Sequence, residues 1–321
     1  MTPVRMGVLS CADIARRRLL PAMAAHRDIE LVAVASRNGD RAAKVARAFG
    51  CHAVRGYDAL LRRDDLDAVY VPLPVALHSE WASAALCSGR HVLVEKPLAV
   101  TADRAAELLE LARQRGLVLA ENVMFVHHHQ HRVVKGMLER GEIGELRGVR
   151  AAFSIPTLPE GNIRYRPELG GGALWDVGLY PVRLALHMLG LELDVVGAAL
   201  TSSPGQEVDT SGAALLVQTS TGIFAQLDWG LQHAYRSAYE LVGSTGRIVV
   251  DRAFTPPADY EPLLQVERDG AVEERRLEPD DQVANALTAF VAAVRGVSST
   301  TDAVLQRQIQ LLDGIRSAAL T

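Results

Sequence analysis

The sequence predicts an α/β protein in two parts: a doubly wound parallel sheet, then an α+β domain with a large open, mainly antiparallel sheet. Three observations carry this prediction. Over roughly the first 120 residues, short apolar runs alternate with helical patterns that end in glycine. Beyond about residue 145, strand-like runs follow one another with few helices between them. A turn of small residues follows the first apolar run and opens a helix, the place where such sheets take ligand.

In order, the first-part strands are expected at Met6–Leu9, Leu31–Ala35, Ala68–Val71, His91–Val94 and Leu117–Ala120. Helices are expected at Asp40–Phe49 before Gly50, Ser79–Leu86 before Gly89, and Ala102–Arg115 before Gly116, with Thr101 capping the last. Pro21 should leave the first helix short or kinked. Later strands are expected at Leu146–Ile155, Val195–Thr201, Ala213–Thr219, Gly222–Gly230, Ala238–Val242, Arg247–Val250 and Leu263–Arg268. Helices at Gln282–Arg295 and Asp302–Ala319 close the sequence. The expected division is 1–121 and 122–321, with the closing helices able to pack back on the first part. An open sheet face implies a homo-oligomer, a dimer or tetramer.

Bulk properties narrow the function classes. A net charge of −4 gives no electrostatic case for nucleic acid or a membrane surface. The longest uncharged run, Thr210 to Leu227, carries Thr, Gln and Ser and reads as sheet. The first strand begins almost at once, so no secretory leader is read before it. Cys11, Cys51 and Cys87 have no motif spacing, as expected of reduced thiols in a cytoplasm. Only Lys44, Lys96 and Lys135 are lysines among 34 basic residues, and lysine, unlike arginine, can release a proton.

Four stretches carry chemistry. In "MGVLSCADIA" the three glycine places of a dinucleotide-binding turn fall on Ser10, Ala12 and Ala15, leaving small residues for packing before a helix N-terminus. The second strand ends with Ser36 and Arg37 where an NAD enzyme offers a carboxylate, and a guanidinium attracts a 2′-phosphate, so NADP(H) is the expected cofactor. "HVLVEKPL" puts Glu95, Lys96 and Pro97 at a strand end, where Lys96 can hydrogen-bond a sugar oxygen or exchange a proton. "GGGALWDVGLYP" carries Asp176 and Tyr180 four residues apart, on one face of any helix starting there. The pair reads either as a helix cap with a half-buried aromatic, or as catalytic groups. "FVHHHQHR" holds His127, His128, His129 and His131, but no nearby carboxylate or cysteine completes a ligand set, and no metal is expected.

These stretches together resemble the glucose–fructose oxidoreductase/inositol dehydrogenase (Gfo/Idh/MocA) family over nearly the whole chain. Within it the resemblance is to nucleotide-sugar 3-ketoreductases of deoxysugar biosynthesis, through "CADIA", "YVPLP", "EKPL", "HRVV", "IRYRPELGGGAL", "HAY", "GSTGR" and "FTPP". The resemblance implies a Rossmann domain binding NADP(H) through Ser10, Cys11, Ala12, Asp13, Ile14, Ser36, Arg37, Leu73, Pro74, His78, Glu95, Lys96 and Asn122. It implies catalysis by Lys96, Asp176 and Tyr180, with Lys96, Arg164, Trp175, Asp176 and Tyr180 on the substrate. Arg164 is the candidate for the diphosphate, since guanidinium suits phosphate geometry. Tyr180 stands where the family often has His; a phenol holds its proton more tightly, and a neighbouring ammonium would ease its release. The implied reaction is reduction of the C3 ketone of a dTDP-linked 3-keto- or 3,4-diketo-2,6-dideoxyhexose, serving antibiotic and related glycosylation. Two alternatives remain: an NAD(P)-dependent dehydrogenase of a free sugar or inositol, and a non-catalytic NADP-binding regulator.

Overall fold

The computed structural model describes residues 2–298 and 302–319. The chain divides into two compact units, Met1–Val123 with Val283–Leu305, and Met124–Gln282 with Gln306–Thr321.

The first unit holds β1 (Val4–Leu9), α1 (Leu20–Ala25), β2 (Ile29–Ser36), α2 (Gly39–Phe49), β3 (His52–Arg55), α3 (Tyr57–Leu61), β4 (Ala68–Val71), α4 (His78–Cys87), β5 (His91–Val94), α5 (Ala102–Arg115) and β6 (Leu119–Glu121). The strands form one parallel sheet in the order β3-β2-β1-β4-β5-β6. β4 is buried along its whole length, as a central strand covered on both faces must be. The order reverses between β1 and β4, so the switch point lies between the Ser10 turn and the Pro72–Pro74 segment. Asn38 caps α2 by accepting from the Arg41 amide, and Gly50 and Gly116 close α2 and α5 in the left-handed conformation. Thr101 caps α5 as expected. Pro21 sits in the first turn of a six-residue α1, which follows a π-helical turn at Ala15–Leu19.

The second unit holds α6 (His129–Glu139), β7 (Leu146–Ser154), α7 (Leu179–Leu189), β8 (Leu193–Thr201), β9 (Ser211–Gln218), β10 (Phe224–Gly230), β11 (Arg236–Gly243), β12 (Gly246–Asp251), β13 (Leu263–Arg268) and β14 (Ala271–Arg276). Two helices follow, α8 (Gln282–Val294), most of which belongs to the first unit, and α9 (Asp302–Ala319). The sheet runs β14-β13-β12-β11-β7-β10-β9-β8 and is antiparallel except where β7 meets β10. Strand alternation divides its faces: Ala225, Leu227 and Trp229 of β10 point inward under α7, whereas Phe224 is 46% exposed on the other side. The outer face carries an ion-pair ladder, Arg150 to Glu240 at 3.0 Å, Glu240 to Arg247 at 2.9 Å and Arg247 to Glu267 at 2.6 Å. Toward β8 that face turns small and apolar, with Gly197, Ala199, Ala213 and Leu215. The uncharged Thr210–Leu227 run is the β9–β10 hairpin, and no described helix is long and apolar enough to cross a membrane.

Candidate functional site

Every residue expected on the cofactor in the first unit lies at or just beyond the C-terminal end of a parallel strand, or at the start of a following helix. The turn after β1 keeps its glycine-like shape without glycine: Ser10 has φ +136°, a conformation that L side chains rarely adopt. Ala15 is fully buried, and Cys11 is nearly so. The first intrahelical bond runs from Arg16 N–H to Ala12 O (3.0 Å), so the amides of Asp13, Ile14 and Ala15 precede it and face out of the helix end. These residues fit a dinucleotide phosphate, with small side chains, orphan amides and a helix N-terminus together. Asp13 is the one adverse charge, and Arg16 and Arg17 pair with it. At the end of β2 the Ser36 hydroxyl accepts from Asn38 N–H (3.2 Å), closing the turn, while Arg37 is exposed. The sequence reading missed Arg41, whose guanidinium donates to the Cys11 carbonyl at 2.8 Å and adds positive charge beside the turn.

The segment after β5 is held on every side. Glu95 is 7% exposed and accepts from Tyr70 Oη (2.5 Å) and Asn122 Nδ2 (2.6 Å). Glu121 accepts from Leu98 N–H at 2.8 Å. His78, 1% exposed, has one ring nitrogen 2.7 Å from Pro97 O and the other 2.7 Å from Leu73 O. Burial is the larger influence on His78 and pulls its pKa down, against the two carbonyls and Glu95. Burial and then the Glu95 carboxylate push the Tyr70 phenol well up, so it stays a donor. The side chains of His78, Glu95 and Asn122 are thus nearly fully buried, with Glu95 joined to Asn122 and His78 set against the Pro97 carbonyl of the Lys96 segment.

In the second unit the glycine run shapes the site. An added Cβ at Gly171 would stand 2.6 Å from the Arg164 carbonyl oxygen, and Gly172 N–H donates to that same oxygen at 2.9 Å. Gly172 has φ +125°, and a Cβ there would meet Asp209 Oδ1 at 2.4 Å. The helix begins at Ala173, not near Asp176, and its cap is Asp209: the carboxylate accepts from Leu174 N–H (2.7 Å), its backbone carbonyl from Ala173 N–H (2.8 Å). Burial raises the Asp209 pKa against those bonds. Asp209 lies 35 residues along the chain from the amide it caps, and no local pattern marks it.

A π-helical turn at Leu174–Gly178 then presents Asp176 and leads into α7. Asp176 accepts from Arg164 Nε, so two of the polar residues expected on the substrate are paired with each other. The Asp176 charge holds the guanidinium pKa up. Tyr180 is half-buried, its ring 4.7 Å from Phe153, 5.7 Å from Phe254 and 5.8 Å from Phe125 between centroids. Trp175 is 7% exposed, with the Arg316 guanidinium over its ring.

The histidine stretch gains the carboxylate that its sequence lacks: Asp280 Oδ2 lies 3.3 Å from His129 Nδ1 and 4.0 Å from His128 Nδ1. Its acceptors are already engaged as helix caps, Asp280 by His129 N–H (2.7 Å) and His128 Nδ1 by Gln130 N–H (3.2 Å). His131 is fully buried between Tyr239 Oη and Ala253 O.

A nucleotide-binding sheet with lysine at one strand end, and a second unit built on a large mixed sheet, define a two-part oxidoreductase. Residues 4–123 match the model of an oxidoreductase family with an NAD-binding Rossmann fold, and 131–249 match the GFO/IDH/MocA C-terminal domain. The chain belongs to the Gfo/Idh/MocA family. It is 50% identical to a dTDP-3,4-didehydro-2,6-dideoxy-α-D-glucose 3-reductase of Streptomyces violaceoruber, covering 98% of this chain and 95% of that protein. A 3-reductase of the same description from Saccharopolyspora spinosa is 52% identical over 94% of this chain and 90% of its own. The crystal structure of a 3-ketoreductase from Actinomadura kijaniata with NADP and TDP-benzene is 48% identical, with TM-score 0.96 over 99% of this chain and 98% of that one.

Proposed function

We propose that this protein is an NADPH-dependent 3-ketoreductase that reduces the C3 ketone of a dTDP-linked 3,4-diketo-2,6-dideoxyhexose, a step toward deoxysugars for natural-product glycosylation. The observation that carries the reading is the near-full-length likeness to 3-reductases at about half identity, in a chain with Lys96 held at the strand end. NADPH, when bound, supplies the hydride that C3 accepts. Ser10–Ile14 hold its phosphates through backbone amides, and Ser36 and Arg37 bind the 2′-phosphate. Leu73 and Pro74 line the nicotinamide end. As C3 accepts hydride, charge grows on the ketone oxygen; Lys96 and Tyr180 stabilise and protonate it, a role worth about 10²–10⁴-fold elsewhere. Asp176 orients Arg164, which we assign to the diphosphate. The outer sheet face, part charged ladder and part small apolar surface, supports assembly with a second copy. Three free cysteines fit a cytoplasmic protein.

Lys96→Ala tests the reading: kcat should fall by at least about 10²-fold with NADPH affinity nearly unchanged. Near-normal turnover would remove Lys96 from the chemistry.

A further inference from the structure

We propose that His78 is a positioning residue for this reduction, tying the segment that lines the nicotinamide end to the segment that carries the catalytic lysine. The inference rests on the proposed role of Lys96. The tie is direct. β4 runs out into Leu73–Pro74, β5 runs out into Lys96–Pro97, and the first residue of α4 stands between them. Its ring spans the two carbonyls, Leu73 O on Nε2 and Pro97 O on Nδ1, each at 2.7 Å. Glu95 ties the lysine segment to Tyr70 and Asn122, and Leu98 N–H ties it to Glu121, but of these contacts only the His78 bridge reaches Leu73.

Reduction needs the hydride donor and the proton donor on two adjacent atoms of one carbonyl. An error of about 1 Å in such a setting costs about 10²-fold in rate. A rigid link between the two segments limits that error before substrate arrives. The imidazole suits the task because its two nitrogens lie on opposite sides of a flat ring, so one side chain reaches both carbonyls and donates to the one that its N–H faces. Both polar contacts of the ring are to backbone carbonyls, so the bridge does not depend on the identity of the side chains at those two positions.

The test is a double-mutant cycle on the full-length protein, with kcat, KM, NADPH affinity and thermal midpoint measured for His78→Phe alone and in a Lys96→Ala background. His78→Phe keeps a flat ring and removes both ring nitrogens, and with them the hydrogen bond that the neutral imidazole donates to one of the two carbonyls. It should lower kcat by about 10²-fold while NADPH affinity and sugar-nucleotide KM change little. In the Lys96→Ala background the same substitution should change the residual rate by no more than about twofold. His78→Gln, which keeps one donor, should recover part of the loss, and it replaces His78→Phe in the cycle if that variant does not fold. Normal kcat in His78→Phe, or an equal loss in both backgrounds, overturns the proposal while leaving Lys96 in place. Near-normal turnover in Lys96→Ala overturns the reading of the lysine, and the positioning role with it.

Discussion

Gly172→Ala puts a methyl group where the structure leaves no room. The residue has φ +125°, and its Cβ would lie 2.4 Å from Asp209 Oδ1. Holding a non-glycine residue in such a conformation costs about 1–3 kcal/mol. The carboxylate must also move, and losing its bond to Leu174 N–H removes a helix cap worth about 1 kcal/mol. Together these predict a loss of about 2–4 kcal/mol, or about 4–16 °C in the thermal midpoint of a unit this size. Gly205→Ala separates the two contributions, because Gly205 has φ +80° with no atom within 4 Å of a Cβ. It should lose only the conformational part. Calorimetry on both variants and on Gly172→Ala/Asp209→Ala is the assay, and the double variant should be no less stable than Gly172→Ala alone, whose cap is already displaced. Equal losses in Gly172→Ala and Gly205→Ala would refute the contact argument.

Ser10→Gly should relieve strain of about 1–3 kcal/mol, offset by about 0.4–1 kcal/mol of added unfolded-state entropy, so urea denaturation should show equal or greater stability; a clear loss would contradict the strained turn. Arg37→Asp should weaken NADPH by about 10–100-fold and leave NADH nearly unaffected, and an unchanged preference in fluorescence titrations would remove Arg37 from cofactor choice. Burial lowers the pKa of His127, His128 and His187 to about 4, and that of His131 well below its ordinary value of 6.5. Between about pH 6.5 and 4 the unfolded chain therefore binds more protons than the native one. The sign follows: their contribution is present above pH 6.5 and is lost as pH falls toward 4, so the urea midpoint should drop steeply across that window. A flat profile would mean that these rings are not held neutral.

Much of this was legible in the sequence where apolar runs were bounded by caps. β4, β5 and α5 fall on the expected residues because buried central strands read as short, near-continuous apolar runs, and because Thr101 and Gly116 mark the helix ends. β3 and β14 were invisible: His52–Arg55 and Ala271–Arg276 are mostly exposed edge strands with no apolar alternation. α3 is only five residues long, and α6 buries Gln130 and His131 beside Val134 and Met137, so neither shows an apolar stripe in the sequence. The lysine segment and the Asp176–Tyr180 spacing were readable as motifs. The long-range supports were not: Asp209 on the helix that carries Asp176, Arg41 on the Ser10 turn and Asp280 at the start of α6 all reach their partners through the fold. That His78 faces two carbonyls depends on how α4 meets the ends of β4 and β5, which no local pattern marks.

The most direct test of the central claim is transfer of deuterium from NADPH labelled at the nicotinamide C4, on each face in turn, to a dTDP-linked 3,4-diketo-2,6-dideoxyhexose, with the product read by NMR. One labelled form should place deuterium at C3 of the sugar and the other should not. Label at a different carbon, or NADPH that binds without reducing the sugar, would contradict the account.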